Sequence, residues 1–124
     1  RASGASARLV ALSSDGGLTW TNMHTDFALV EPVCQGSLLS HKINNVHTVL
    51  FSNPASTARE NMTIKLSVDD GSTWSKSFRV HPGPAAYSDI LMLNDATVGI
   101  LYEGGTASPY QGIAFRGVPV ADFK

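Results

Sequence analysis

The sequence predicts an all-β protein built from short, turn-connected strands. Seven segments are rich in Val, Ile, Leu or Thr and are bounded by Gly, Pro, Asn, Asp or Ser. No window of 11 or more residues carries an apolar stripe of helical period. The 11 Gly and six Pro lie mostly between those segments, where they favour turns.

The predicted strands follow one another at spacings of roughly 8–12 residues, which indicates a sandwich, a barrel or a propeller. They cover residues 8–14, 36–42, 46–53, 63–68, 88–93, 97–103 and 112–115.

The composition of the 124-residue chain excludes several classes of protein. With 43% hydrophobic and 15% charged residues, the chain is neither disordered nor highly charged. A net charge of -1 argues against a broad electrostatic surface for nucleic acid or an anionic membrane. Cys34 is the single cysteine, so no intrachain disulfide can form. No apolar run approaches the roughly 18 residues of a membrane helix.

An internal repeat narrows the choice of architecture. Residues 13–20 read SSDGGLTW and residues 67–74 read SVDDGSTW, and both fit S-x-D-x-G-x-T-W. The Asp can accept hydrogen bonds from backbone N–H groups just downstream, and the Gly two positions later permits a positive φ. The Thr hydroxyl can close the turn, and the Trp brings apolar surface to the sheet. We therefore expect both motifs to hold hairpins together rather than to contact a ligand.

Two such hairpins about one blade length apart predict β-propeller blades. The motif resembles the Asp-box, or BNR repeat, of sialidases (neuraminidases), a repeat that also occurs in non-catalytic propellers. The resemblance implies a six-bladed propeller. Residues 1–124 would be the C-terminal portion of its catalytic domain, roughly the last two to three blades.

Further segments resemble the C-terminal part of a sialidase domain, in the family's order. Arg1, in RAS, is similar to the second arginine of the family's arginine triad, and Arg59, downstream of LFSNP, to the third. Gln35 lies in EPVCQGS, which resembles a family signature. Tyr87, in AYSDI, is similar to the tyrosine nucleophile. Glu103, in ILYE, is similar to the late glutamate that positions the first triad arginine.

The chemistry of sialic acid fits these residue types. Its anomeric carbon carries a carboxylate, which a guanidinium fork binds bidentately, so we expect Arg1 and Arg59 to bind substrate. Several converging arginines repel one another, which explains the need for a carboxylate such as Glu103. Gln35 is a candidate contact for polar groups of the sugar, with a role in the strand turn as the alternative.

Tyr87 is an unusual nucleophile for a glycosidase, since most of these enzymes use two carboxylates and sialidases are an exception. A carboxylate nucleophile would be repelled by the substrate's own carboxylate, whereas a neutral phenol would not. The phenol then needs a base, which the family supplies from an upstream glutamate. Taken alone, a Tyr after a Pro-Ala-Ala turn would be a packing residue at a strand start.

Other residues are assigned no chemistry. Without the resemblance, Arg59 would be read as an exposed loop arginine and Glu103 as a solvent-facing charge at a strand end. Glu31 and Pro32 are interpreted mainly as a turn. The four histidines show no metal-binding spacing and are expected on the surface or in strands: His24, His41, His47 and His81.

The resemblance implies a retaining exo-α-sialidase that removes terminal sialic acids from glycoproteins, gangliosides or oligosaccharides, with no metal or organic cofactor. A trans-sialidase would share every residue named. A non-catalytic Asp-box propeller acting as a carbohydrate-binding or interaction module is the alternative of another class. The family's acid/base aspartate, first triad arginine and tyrosine-activating glutamate lie in the N-terminal half. We therefore expect this chain by itself to be inactive. The compartment stays open, with a secreted, extracellular or lysosomal setting favoured over a nuclear one.

Overall fold

The computed structural model describes residues 4–21 and 23–124, so Arg1 lies outside the described residues. Strands dominate the described chain, and none of its helices is long and apolar enough to cross a membrane. The elements are β1 (Ala7–Val10), β2 (His24–Val30), β3 (Ser37–Ile43), β4 (Val46–Pro54), β5 (Glu60–Ser67), β6 (Lys76–Asn94), β7 (Thr97–Gly104), β8 (Gly112–Pro119) and a short 3₁₀ helix, Val120–Asp122.

Two antiparallel sheets make up the fold. Strands β1 and β2 form one, and β3 to β8 form the other in sequential order. Strand β6 has 19 residues and belongs to two units: its first half pairs with β5 as far as Pro84, and its second half pairs with β7 from Ala85. The described chain is therefore one four-stranded unit of propeller-blade type, flanked by parts of two others.

All seven predicted strands are present, but two strand segments were not predicted. Strand β2 buries only Leu29 and so carries a weak apolar signal. The first half of β6 contains Pro82 and Pro84, which favoured a turn. In the structure Pro84 ends the ladder with β5 just where the ladder with β7 begins, a place where a missing N–H is tolerated.

One hydrophobic core joins the two halves of the large sheet. It includes the fully buried side chains of Leu50, Met62 and Ile64 from one unit and of Val98 and Ile100 from the next. Because close-packed side chains resist displacement, this core fixes the ends of β4, β6 and β7 relative to one another.

The two Asp-box turns have the same hydrogen-bond pattern. In the second, the Asp69 carboxylate accepts bonds from the Thr73 N–H at 2.8 Å and the Thr73 hydroxyl at 2.6 Å, and Ser67 Oγ donates to it at 2.7 Å. The equivalent distances around Asp15 are 2.9, 2.6 and 2.8 Å. Gly71 has a φ of +84°, as the turn requires. The predicted turn chemistry is confirmed.

The Asp-boxes lie at the opposite end of the strands from Arg59. Strand β5 begins directly after Arg59 and ends at Ser67, the first residue of the second box. At about 3.3 Å per residue, its eight residues separate the two ends by about 25 Å. The distance supports a scaffold role for the boxes.

The tryptophans of the two boxes differ. Trp74 packs 6.0 Å from the ring of Phe51, and its indole N–H donates to Asp26 Oδ2 at 2.9 Å, which ties the second box to β2. Trp20 is 65% exposed, so the expectation that it packs on a sheet is wrong. Trp74 reaches the sheet that precedes its own, whereas the described residues include no sheet before β1 for Trp20 to reach.

A second set of contacts joins the turn of the second Asp-box to strands β3 and β4. The Ser40 hydroxyl lies 2.9 Å from His47 Nε2, and His47 Nδ1 lies 3.0 Å from Asp70 Oδ1. The atoms follow the order of a hydrolytic triad, but the cluster sits at the Asp-box end. Its His and Asp are largely exposed, where water competes for such polar contacts and they stabilise the fold little. We assign it to holding the turn.

Glu31 has a structural role beyond the predicted turn. Its side chain is only 1% exposed, and Oε2 lies 3.0 Å from Arg8 Nε. Arg8 also donates to the carbonyl of Cys34 and lies 5.4 Å over the Phe51 ring. A buried charge is costly unless it is paired, so this ion pair fastens β1 to the segment between β2 and β3.

Glu31→Ala should therefore lower the free energy of unfolding by about 3 kcal/mol, because it leaves the Arg8 charge without its partner. Urea unfolding of the full-length protein measures the change. Glu60→Ala, at an exposed glutamate, is the matched control and should cost less than about 0.5 kcal/mol. Equal effects of the two substitutions would contradict a structural role for the ion pair.

Acid should weaken both Asp-box turns. Hydrogen bonds from Thr19 and Thr73 lower the pKa of Asp15 and Asp69 from 3.8 to about 2. Since the folded-state pKa is depressed, this stability is present above pH 3.8 and is lost as the pH falls towards 2. Carboxyl NMR titration should find both midpoints near 2, and Thr73→Val should raise that of Asp69. Midpoints near 4 in the native protein would contradict the prediction.

Candidate active site

A cavity of about 390 Å³ opens at the strand ends opposite the Asp-boxes. It brings together three of the predicted site residues from separate elements: Gln35 before β3, Tyr87 in β6 and Glu103 near the end of β7. The remaining lining residues are Ser88, Asp89, Leu101, Tyr102 and Ile113.

A β-bulge aims Tyr87 into this cavity. Ala85 pairs with Gly104 but Ser88 pairs with Tyr102, so β6 has one residue more than β7 across this stretch. Ala86 and Ser88 are buried while Tyr87 is 44% exposed. The expected strand start at Ser88 is therefore wrong: Tyr87 lies inside a long strand, and the bulge gives it access to the cavity.

The Glu103 carboxylate compensates for the interrupted ladder. Its Oε2 accepts a hydrogen bond of 3.2 Å from the backbone N–H of Tyr87. Glu103 pairs with Ile113 one residue before Gly104 ends β7, so it sits at a strand end as expected. A half-buried carboxylate thus fixes the backbone of the predicted nucleophile.

Gln35 binds protein atoms rather than facing the cavity freely. Its Oε1 accepts from the Ser88 N–H at 3.0 Å, and its Nε2 donates to the Ser88 carbonyl at 3.0 Å and to the Gly36 carbonyl at 3.1 Å. Ser88 is held in turn by Ser52, with 2.9 Å between the two hydroxyl oxygens. The geometry fits the structural alternative for Gln35, which clamps the loop before β3 onto β6.

Arg59 lies beside the cavity, in the loop between β4 and β5. Its carbonyl accepts from the Ala85 N–H at 2.9 Å, and its guanidinium carbon lies 5.7 Å from the centre of the Tyr87 ring. Desolvation lowers the pKa of Arg59, but Cys34, Tyr110 and Tyr87 together raise it above its ordinary value. The side chain stays charged and can receive a carboxylate.

Sequence reasoning missed Tyr110 altogether. Its hydroxyl oxygen lies 2.5 Å from Arg59 Nη1, and its ring centre lies 5.7 Å from the Arg59 guanidinium carbon. Tyr110 stands in the loop between β7 and β8, outside every motif, so no sequence signal identifies it.

Within residues 4–21 and 23–124, no three His, Cys, Asp or Glu side chains lie close enough together to hold a metal ion. The histidines lie in strands, as expected.

Known proteins resemble this chain over most of its length. The BNR repeat-like domain family matches residues 1–100. The sialidase of Micromonospora viridifaciens is 38% identical over 110 residues, which are 83% of this chain. This chain belongs to the BNR-repeat sialidase family.

Two further sialidases are similar to this chain over nearly all of its length. A sialidase of Bacteroides fragilis is 38% identical over 125 residues, or 94% of this chain. The solved structure of the Hadza microbial sialidase Hz136 superposes with a TM-score of 0.81 at 36% identity, again over 94% of this chain. The predicted sialidase-type β-propeller fold is confirmed.

The sialidase-family chain spans about a fifth of these relatives. It covers 17% of the Micromonospora protein, 22% of the Bacteroides protein and 23% of the solved Hadza chain.

The hydrogen bond from Tyr87 to Glu103 can be tested without any substrate. Glu103→Ala should speed hydrogen exchange of the Tyr87 amide by about tenfold or more, because Tyr87 falls within the bulge and has no paired residue in the register with β7. Glu103→Gln, which keeps an acceptor oxygen, should exchange slowly. Amide exchange followed by NMR or mass spectrometry measures the effect.

Asp89→Ala is the matched control for this experiment. Asp89 lies in the same strand and accepts from the Ile90 N–H at 3.0 Å, an N–H that also reaches Ser37 Oγ at 3.3 Å, so its loss should leave exchange at Tyr87 unchanged. Unchanged Tyr87 exchange in Glu103→Ala would refute the bond.

Proposed function

We propose that this chain is part of a retaining exo-α-sialidase that removes terminal sialic acids from glycoproteins, gangliosides or oligosaccharides. One observation carries the proposal: the Arg59 guanidinium lies over the ring of Tyr87 while Glu103 holds the backbone of that tyrosine. A phenol and a carboxylate therefore line one cavity, with a guanidinium beside it.

Arg59 binds the carboxylate of the sugar in this proposal, together with Arg1. A bidentate guanidinium–carboxylate pair is strong and directional, so it also fixes the orientation of the sugar ring. Because Arg59 lies over the Tyr87 ring, a carboxylate held there brings the adjoining anomeric carbon towards the phenol.

Tyr87 then acts as the nucleophile. A base elsewhere in the protein takes the proton of its hydroxyl as the oxygen forms a bond to the anomeric carbon. The glycosidic bond breaks, and the departing oxygen takes a proton from an acid elsewhere in the protein. Water next attacks the anomeric carbon of the sialyl–tyrosine and gives a proton to the conjugate base of that acid. The bond to the tyrosine oxygen breaks, sialic acid leaves, and the phenolic oxygen takes its proton back from the base. A neutral phenol suits this site because it does not repel the substrate carboxylate.

Glu103 has two tasks in the proposal. Oε2 accepts from the Tyr87 N–H, and the negative charge orients the first arginine of the carboxylate-binding set. Both tasks hold other groups in place, so Glu103 supports the reaction without joining it.

We further propose that residues 1–124 are the C-terminal portion of a larger propeller domain, whose remainder supplies the acid, the first arginine and the tyrosine-activating base. The small share of each relative that the chain covers supports this. Large apolar side chains on β8, the last strand of the large sheet, support it too, since Ile113 and Phe115 are both more than half exposed.

Tyr87→Phe in the full-length protein should lower kcat/KM on a fluorogenic sialoside about a thousandfold or more, because the ring stays and the attacking oxygen is lost. An unchanged melting temperature would show that the variant is folded. Full activity of folded Tyr87→Phe would contradict the nucleophile role.

The same assay separates the alternatives. Wild type that forms new sialosides when an acceptor sugar is added would be a trans-sialidase. Wild type that binds sialosides but releases no sialic acid at any pH would be a binding module, and the hydrolase proposal would then be wrong.

A further inference from the structure

Arg59 is held by a neutral partner. Its Nη1 donates to the Tyr110 hydroxyl oxygen, and within the described residues no carboxylate oxygen lies within 4.0 Å of its guanidinium. An acidic partner would orient the arginine but would also neutralise the charge that a bound carboxylate needs. A phenol oxygen accepts a hydrogen bond from the arginine without neutralising its positive charge.

Two tyrosine rings flank this arginine. Its guanidinium carbon lies 5.7 Å from each ring centre, that of Tyr87 and that of Tyr110, within the range of a cation–π contact. An arginine has five N–H donors, and the bond to Tyr110 uses one of them. The others are left for a ligand, on a side chain whose position is already fixed.

The loop that carries Tyr110 is itself held by hydrogen bonds. Gln111 Oε1 accepts from the N–H groups of Thr106 at 2.9 Å and Ala107 at 3.2 Å. The Tyr110 N–H donates to Ser108 Oγ at 3.2 Å. A Cβ on Gly105 would lie 2.4 Å from Gln111 Oε1, so only glycine permits this closure. The backbone from which Tyr110 extends towards Arg59 is therefore held within the loop itself.

We infer that Tyr110 is a positioning residue, which holds the Arg59 guanidinium in its carboxylate-binding orientation without reducing its charge. The inference rests on the proposed function and adds a residue to it. Removing the Tyr110 hydroxyl frees Arg59 to rotate, and each binding event must then order a long side chain again. The cost falls on recognition of the substrate carboxylate.

Tyr110→Phe in the full-length protein tests this, because it keeps the aromatic ring and removes the acceptor. We expect KM for a fluorogenic sialoside to rise about tenfold, with kcat changed less than about twofold. Thr57→Ala is the matched control: it removes an exposed hydroxyl from the loop that carries Arg59, where no hydrogen bond among the described residues uses it, and it should leave KM unchanged.

A second readout reports on the carboxylate alone. Wild type should prefer a sialoside over its methyl ester, and Tyr110→Phe should narrow that preference about tenfold while the KM for the ester stays constant. In an Arg59→Ala background the Tyr110→Phe change should have no further effect, since Tyr110 acts through Arg59. If Tyr110→Phe raises the KM for the acid and for the methyl ester equally, the substitution distorts the site in general, and the inference is overturned.

The outcomes separate the two proposals. If wild type turns over and Tyr110→Phe keeps the wild-type KM, the positioning role is wrong and the sialidase proposal stands. If wild type shows no turnover, calorimetry with N-acetylneuraminic acid decides the positioning role alone. Tenfold weaker binding in Tyr110→Phe would support it, and equal or undetectable binding in both proteins would overturn it.

Discussion

The pairing of β6 with two different neighbours is the constraint on which the rest of the structure depends. Its backbone bonds to β5 end at Pro84, and its bonds to β7 begin one residue later. At that point the Ala85 N–H donates to the carbonyl of Arg59, which brings the loop after β4 against the start of the second ladder. The one-residue bulge that follows turns Tyr87 outwards. The two side chains of the proposed chemistry meet because a single strand changes partners between them.

Arg59 and Glu103, two charged groups at the cavity, are not paired with each other and have different kinds of partner. The guanidinium of Arg59 has neutral tyrosine neighbours, whereas the carboxylate of Glu103 is directed to a backbone N–H. A site for an anionic sugar needs positive charge that its own protein does not cancel. The phenol of Tyr110 holds Arg59 and the carboxylate of Glu103 holds the backbone of Tyr87. Each of these polar groups therefore has a partner, and the positive charge of Arg59 stays available.

The opposite end of the strands has the character of a scaffold. In each Asp-box the carboxylate accepts three local hydrogen bonds, so little of it is left to bind a ligand. Trp74 joins the second Asp-box to the neighbouring sheet through its bond to Asp26. These contacts hold the blades in register and let the loops at the far end, about 25 Å away, carry the chemistry.

The sequence by itself determined seven of the strand segments, the Asp-box turns and the family, because these depend on local patterns: alternating apolar residues, a fixed Asp-Gly-Thr spacing and ordered motifs. It missed β2 and the first half of β6, where the apolar signal is weak or prolines intervene. It also named Arg59, Tyr87 and Glu103 as candidates. Only the tertiary structure decided how they meet, since the bulge at Tyr87 arises from the register between two strands. Tyr110 lies 51 residues from Arg59, and Gln35 lies 53 from Ser88. Contacts across such distances depend on how the whole sheet is paired, which no local pattern records.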